Sequence, residues 1–398
     1  MNPDLNRLQP YPFEKLADLK KGITPHSDNA HIALSIGEPK HQPPGFVLDK
    51  LTSSLATAGQ YPLTKGSLEL RKTIANWLVS RFKLDQNDIN PETQVIPVNG
   101  TREALFAFAQ AIIDRNNNPH ILMPNPFYQI YEGAAFLAGA TPVFYNTTKD
   151  TAYLPDFEAV PESDWKRCQL LYICTPGNPT GAIIPKQQLK ALIEKAEQYD
   201  FIIASDECYS EIYFDENNPP PGLLEAAKEM GNDSFKRCIV FHSLSKRSNL
   251  PGLRSGFVAG DANIIKSFFK YRTYHGCAMP PPTQAASISA WSDEAHVLNN
   301  RLLYKTKFNA VLEILSPVLN VTLPDAGFYL WTETPILDTE FSRNLFADQN
   351  VTVLPGQFLS RESNNINPGK NHIRMALVAT TEETVEAAIR IRQFVEKL

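Results

Sequence analysis

The sequence predicts an α/β fold, with a mostly parallel central sheet in a large domain and a smaller α+β domain beside it. Three observations predict this. Short apolar runs alternate with helical patterns through the middle of the chain. The pattern changes after about residue 283. Three polar segments each follow directly on an apolar run, which collects them at one edge of a sheet. A chain of 398 residues, 43% hydrophobic and 20% charged, can bury a sizeable core and suits two domains, or one large domain with an appendage.

Taken in order, the strand candidates are Gln94–Val98, Ile121–Met123, Pro142–Tyr145, Leu170–Cys174, Phe201–Ser205 and Cys238–His242. Each is short and apolar, as expected of strands covered on both faces. Helical patterns at Arg102–Arg115, Phe127–Ala138 and Lys186–Tyr199 lie between them. Strands alternating with helices form parallel sheets. Asp215–Gly222 (DENNPPPG) reads as a surface loop. A long helical stretch then runs from Thr283 towards Leu315. Strand candidates follow near Gly327–Thr332 and Val351–Val353, and a final helix over Glu382–Glu396. The expected division is a large domain of residues 46–285 and a small domain of 1–45 with 286–398.

The polar segments are TPGNPTG (Thr175–Gly181), Asp206–Tyr209 and SLSK (Ser243–Lys246). Open α/β sheets bind ligands outside the carboxyl ends of their strands, where all three would sit. Lys246 is flanked by Ser243, Ser245 and Arg254. Partial burial and nearby positive charge would lower its pKa and free the amine for Schiff-base chemistry, while a guanidinium can hold a phosphate through two hydrogen bonds. A buried carboxylate at Asp206 needs a cation or several donors, and a protonated pyridine nitrogen is one such cation. Taken singly, Lys246 reads equally as a surface lysine, Asp206 as a cap or turn residue, and the NPTG run as a plain β-turn.

Together, NPTG, the aspartate-x-x-tyrosine after a strand, and S-x-S-K followed by arginine eight residues on resemble the fold-type I aminotransferases that use pyridoxal phosphate. The similarity extends from LSIGEP (Leu34–Pro39) to HIRMAL (His372–Leu377). The resemblance implies that Lys246 bonds the cofactor aldehyde and moves the catalytic proton. It implies that Asp206 pairs with the pyridine nitrogen, that Tyr209 and Asn178 bond the ring's phenolic oxygen, and that Tyr128 stacks on the ring. The phosphate would be held by Gly100 and Thr101 at a helix N-terminus, by Ser243, Ser245 and Arg254, and by Tyr61 of a second subunit. Arg374 and the backbone at Gly37 would hold the substrate α-carboxylate, with Asn178 beside them. Arg102 is grouped with the cofactor residues, although relatives often have a small residue there and its role stays open. Cys208 would pack against the ring. His242 and His275 receive no role, and no metal-ligand spacing occurs.

The strings SLSKRSNLPGLRSGFVAGD and SDECYSEIYF are similar to one branch, the succinyldiaminopimelate aminotransferases. That similarity implies exchange of an amino group between N-succinyl-LL-2,6-diaminopimelate and 2-oxoglutarate, in lysine and diaminopimelate biosynthesis, by a homodimer. Other aminotransferases, acting on acetylornithine, aspartate or aromatic substrates, and C–S lyases share the cofactor residues and stay open. A non-catalytic cofactor-binding regulator is the reading from another class. Both expected substrates carry a distal carboxylate, for which Arg102, Arg272 and Arg361 are candidates by residue type. Net charge is −5, from 38 basic against 43 acidic residues, which gives no reason to expect nucleic acid or a membrane surface. Five cysteines without a paired spacing, and an opening without a leader pattern, point to reduced thiols and a cytoplasmic protein.

Overall fold

The computed structural model describes residues 1–26 and 28–398. In chain order its strands are β1 (Ile32–Ala33), β2 (Val95–Val98), β3 (His120–Asn125), β4 (Thr141–Asn146), β5 (Cys168–Cys174), β6 (Ile202–Asp206), β7 (Cys238–Ser243), β8 (Gly256–Gly260), β9 (Tyr329–Glu333), β10 (Val351–Thr352), β11 (Leu354–Pro355) and β12 (His372–Ala376). The central sheet has the order β2-β8-β7-β6-β5-β3-β4. Every pair from β7 to β4 is parallel, and β8 runs antiparallel to both β7 and β2.

Alternate residues of each strand feed opposite faces. Leu171 and Ile173 of β5 join a core with helices Leu68–Arg81, Lys186–Tyr199, Leu223–Glu229 and Pro281–Trp291. Leu170 and Tyr172 of the same strand join the opposite core, with helices Thr101–Ile112, Gln129–Ala138 and Ala262–His275. Both faces are therefore sealed, which is why these strands read as continuous apolar runs.

A third core combines Ile32 and Leu34 with residues from helices Ala295–Leu315, Asp338–Gln349 and Thr381–Val395. Its sheets are the antiparallel set β11-β12-β9 and the parallel pair β1-β10, which joins Ile32 to Val351.

Two elements differ from the expectation. The helical stretch over 283–315 is two helices, Pro281–Trp291 and Ala295–Leu315. Between them Asp293 turns the chain and accepts from the backbone N–H of His296 at 3.0 Å. Strand β8 was not expected, because GFVAG is short and bounded by glycines. Both glycines are required by packing: a Cβ at Gly256 would strike the carbonyl of His242, and one at Gly260 the carbonyl of Cys238. No helix of the described residues is long and apolar enough to cross a membrane.

Candidate active site

Strands β5, β6 and β7 are parallel, so their last residues lie at one edge. Cys174 pairs in register with Asp206, and Asp206 with Phe241, two residues before Ser243. Cys174, Asp206 and Ser243 all line a cavity of about 410 Å³ at that edge. Arg374 enters from β12, and Gly37 from the segment after β1.

Lys246 lies in the single helical turn Leu244–Arg247 that follows β7. Its amine donates to the carbonyl of Gly37 and sits 5.2 Å from the centre of the Phe328 ring. Burial, reinforced by Arg374 and Arg254 and opposed by Cys208 and Glu38, pulls this amine down to about 8. Asp206 is buried, and burial holds its carboxyl above the usual range. Its oxygens accept from the Tyr131 hydroxyl at 2.7 Å and the Cys208 N–H at 3.3 Å, both neutral donors. Arg374 is buried too. It donates to the carbonyl of Ser35 at 2.7 Å and the Asn178 side-chain oxygen at 3.1 Å, lies over the Tyr329 ring at 4.4 Å, and leaves Nε without a partner. Among the described residues none of these three side chains has an oppositely charged side chain within ion-pair distance. Buried charge left uncompensated by the protein is costly unless a ligand completes it.

The cavity also carries hydroxyls and a guanidinium. Ser243 Oγ caps the turn by accepting from Ser245 N–H at 3.1 Å and lies 2.9 Å from Ser245 Oγ. Arg254 adopts a left-handed φ of 52° and donates to the Pro251 carbonyl at 2.8 Å. Gly100, at φ 87°, precedes helix Thr101–Ile112, and a Cβ there would collide with the Arg254 guanidinium. Tyr209 is buried, with its hydroxyl 3.1 Å from that of Tyr329. Thr101 Oγ1 is 3.0 Å from Cys208 Sγ.

Of the residues expected from sequence, Gly37, Thr101, Arg102, Tyr128, Asn178, Asp206, Tyr209, Ser243, Ser245, Lys246, Arg254 and Arg374 all line this cavity. Gly100 stands behind it, against Arg254. Tyr61 does not line it, and its side chain is fully exposed. His242 is buried against Glu207 at 3.1 Å, outside the cavity lining, and His275 is exposed. Glu103, His275 and Cys277 bring ligand-type atoms within 4.8 Å of one another. Arg272, however, holds both Glu103 oxygens at 2.9 Å and already neutralises that carboxylate.

Sequence reasoning missed Tyr131, Tyr329 and Tyr11. Tyr131 stands one helical turn beyond Tyr128 in the NPFYQIY string, a spacing that puts both on one helix face. Tyr11 and Tyr329 reach the cavity from distant parts of the chain and carry no local signal.

Residues 29–391 match the family described as Aminotransferase class I and II. The chain is 30% identical over 395 residues to an LL-diaminopimelate aminotransferase of Nitratidesulfovibrio vulgaris strain Hildenborough, covering 97% of each chain. Among solved structures it is similar to an aminotransferase from Neisseria meningitidis Z2491, at 47% identity and TM-score 0.95, covering 99% of this chain and 100% of that one. It is also similar to aminotransferase AspB from Helicobacter pylori 26695, at 35% identity and TM-score 0.90, covering 98% and 100%.

Proposed function

The chain belongs to the class I and II aminotransferases, which bind pyridoxal 5′-phosphate, and we propose that it moves an amino group from N-succinyl-LL-2,6-diaminopimelate to 2-oxoglutarate. The observation that carries this reading is that Lys246, Asp206 and Arg374 line one cavity without charged partners, with Asp206 and Arg374 buried and Lys246 half-buried. Each lacks what one part of the expected cofactor and substrate would supply. A ring cation answers Asp206, a substrate carboxylate answers Arg374, and an aldehyde answers an amine whose pKa lies near about 8.

When bound, the cofactor supplies an aldehyde for the amine and an electron-poor ring that stabilises negative charge at the substrate α-carbon. In our reading the protein does the rest. Lys246 would hold the cofactor through its aldehyde, and its amine would serve as the base that moves the substrate α-proton. Asp206, itself held by Tyr131, keeps the ring nitrogen protonated. Tyr209 and Asn178 bond the phenolic oxygen, and Tyr128 covers a ring face. Ser243, Ser245, Arg254 and the helix start at Gly100–Thr101 receive the phosphate, where free N–H groups and hydroxyls favour an anion. Arg374, oriented by Asn178 and Ser35, grips the α-carboxylate with Gly37 opposite. Tyr61, exposed in its own chain, completes the phosphate site of a second copy in a homodimer.

The succinyl group rests on the SLSKRSNLPGLRSGFVAGD and SDECYSEIYF strings. Unacylated LL-diaminopimelate is the second reading, favoured by the relative named for that substrate. Glutamate release from 2-oxoglutarate, with each donor and with acetylornithine, aspartate and phenylalanine, separates them. Strong preference for the succinylated donor is expected. Preference for the free diamine would replace the donor and keep the chemistry. Pyruvate and ammonia without any oxo acid would reveal a lyase.

A further inference from the structure

We propose that Asn300 is a positioning residue for Lys246, tying the helical turn that carries the lysine to the segment that carries Gly37. The inference rests on the aminotransferase reading above, in which Lys246 bonds the cofactor, and deepens it. Leu244–Arg247 is a single helical turn. A turn this short does not hold itself, because its last carbonyls have no partner within the helix. Ser243 caps its start. At its end, the carbonyls of Lys246 and Arg247 accept no backbone N–H among the described residues. Both accept instead from the Asn300 side-chain amide, at 3.2 and 3.4 Å.

Asn300 is buried and lies on helix Ala295–Leu315, outside the cavity lining. With its amide nitrogen turned to the two carbonyls, its Oδ1 faces two donors, Asn249 Nδ2 at 2.9 Å and His41 Nδ1 at 2.8 Å. That orientation puts the His41 proton on Nδ1. Burial, opposed by the Asn300 bond and aided by Lys307, holds the imidazole below its ordinary pKa, so Nε2, which has no partner, carries no proton at neutral pH. His41 follows closely on Gly37, whose carbonyl accepts from the Lys246 amine. One connection therefore holds the lysine at both ends. Asn300 fixes its backbone directly, and through His41 it fixes the segment that meets the amine.

A stack of rings follows the same route. His41 lies 4.6 Å from the Tyr304 ring, Tyr304 lies 5.5 Å from Phe328, and Phe328 lies 5.2 Å from the Lys246 amine. Of the groups that face the amine, Arg374 and Arg254 favour its neutral form, and Cys208 and Glu38 favour its charged form. Burial outweighs each of them. Gly37 lines the cavity beside Lys246 and is part of that cover. Loosening its segment admits water to the amine and returns the amine towards its ordinary value.

The test is the rate at which the full-length, cofactor-free protein takes up pyridoxal phosphate, measured against pH. H41F keeps a ring against Tyr304 and removes the N–H donor. H41N keeps a donor near the Nδ1 position and removes the ring. H41F should move the half-plateau up by about one pH unit and slow uptake at neutral pH by about tenfold, with the plateau at high pH nearly held. H41N should stay within about threefold of wild type. N300L, which removes both connections, should move the half-plateau at least as far as H41F, and the two His41 variants carry the test even if N300L fails to fold. A plateau lowered at every pH with the midpoint unmoved would overturn the proposal, as would a defect in H41N that H41F does not share. Borohydride reduction of the cofactor-loaded wild type, followed by peptide mapping, separates the two readings. A label on Lys246 with unmoved midpoints in the variants would sink this inference alone. A label on another lysine would sink the reading of Lys246 and the inference with it.

Discussion

Lys246 shows how much a single residue owes to its surroundings. A lysine near its ordinary pKa is almost wholly protonated at neutral pH and cannot attack an aldehyde. Here burial, with Arg374 and Arg254, pulls the amine down to about 8. Because the folded value is lowered, the neutral form appears as pH rises through about 8 rather than beyond 10. The rate at which cofactor-free protein takes up pyridoxal phosphate should therefore climb with pH and reach half its plateau near about 8. A rate still rising steeply at pH 10 would mean that the amine is not buried. K246A should bind the cofactor non-covalently and lose turnover, and retained activity would assign the role to another amine. The lysine's place at the sheet edge was legible from S-x-S-K following an apolar strand. Its companions Tyr131, Tyr329 and Tyr11 were not, because a tyrosine aimed at an active site and one packed in a core look alike in sequence.

At the scale of elements, the parallel strands were legible because burial on both faces makes them uniformly apolar, and the helix Lys186–Tyr199 matched its expected bounds. Strand β8 escaped because its glycines serve backbone contacts, which leave no apolar signature. The break at residues 292–294 escaped because the apolar periodicity carries across it. Gly100 ties an element to the site. Its φ of 87° suits glycine, and a Cβ there would displace the Arg254 guanidinium from the start of helix Thr101–Ile112. G100A should weaken pyridoxal phosphate by about tenfold or more while affecting pyridoxal, which lacks the phosphate, far less. Equal loss for both would place the defect in the fold rather than at the phosphate.

At the scale of the whole molecule, the exposure of Tyr61 separates two architectures. If the residue acts across a two-fold interface, mixing inactive K246A with Y61A dimers and letting subunits exchange should restore activity. Half of the dimers would then be hybrid, each with one intact site, for about a quarter of the wild-type number of sites. If Tyr61 acts only within its own chain, no site in the mixture is intact and nothing is gained over Y61A alone. The sequence by itself determined the mostly parallel sheet, the cofactor class and the residues at the strand ends, because each is written locally in apolar runs and in short polar segments that follow them. Only the tertiary structure decided which arginines are already satisfied. Arg102, Arg272 and Arg361 are the same residue type. Glu103 and Glu132 neutralise Arg272 and Arg361 from 169 and 229 residues away, while Arg102 meets the hydroxyl of Tyr11 across 91 residues, and these partners come together only once the chain has folded.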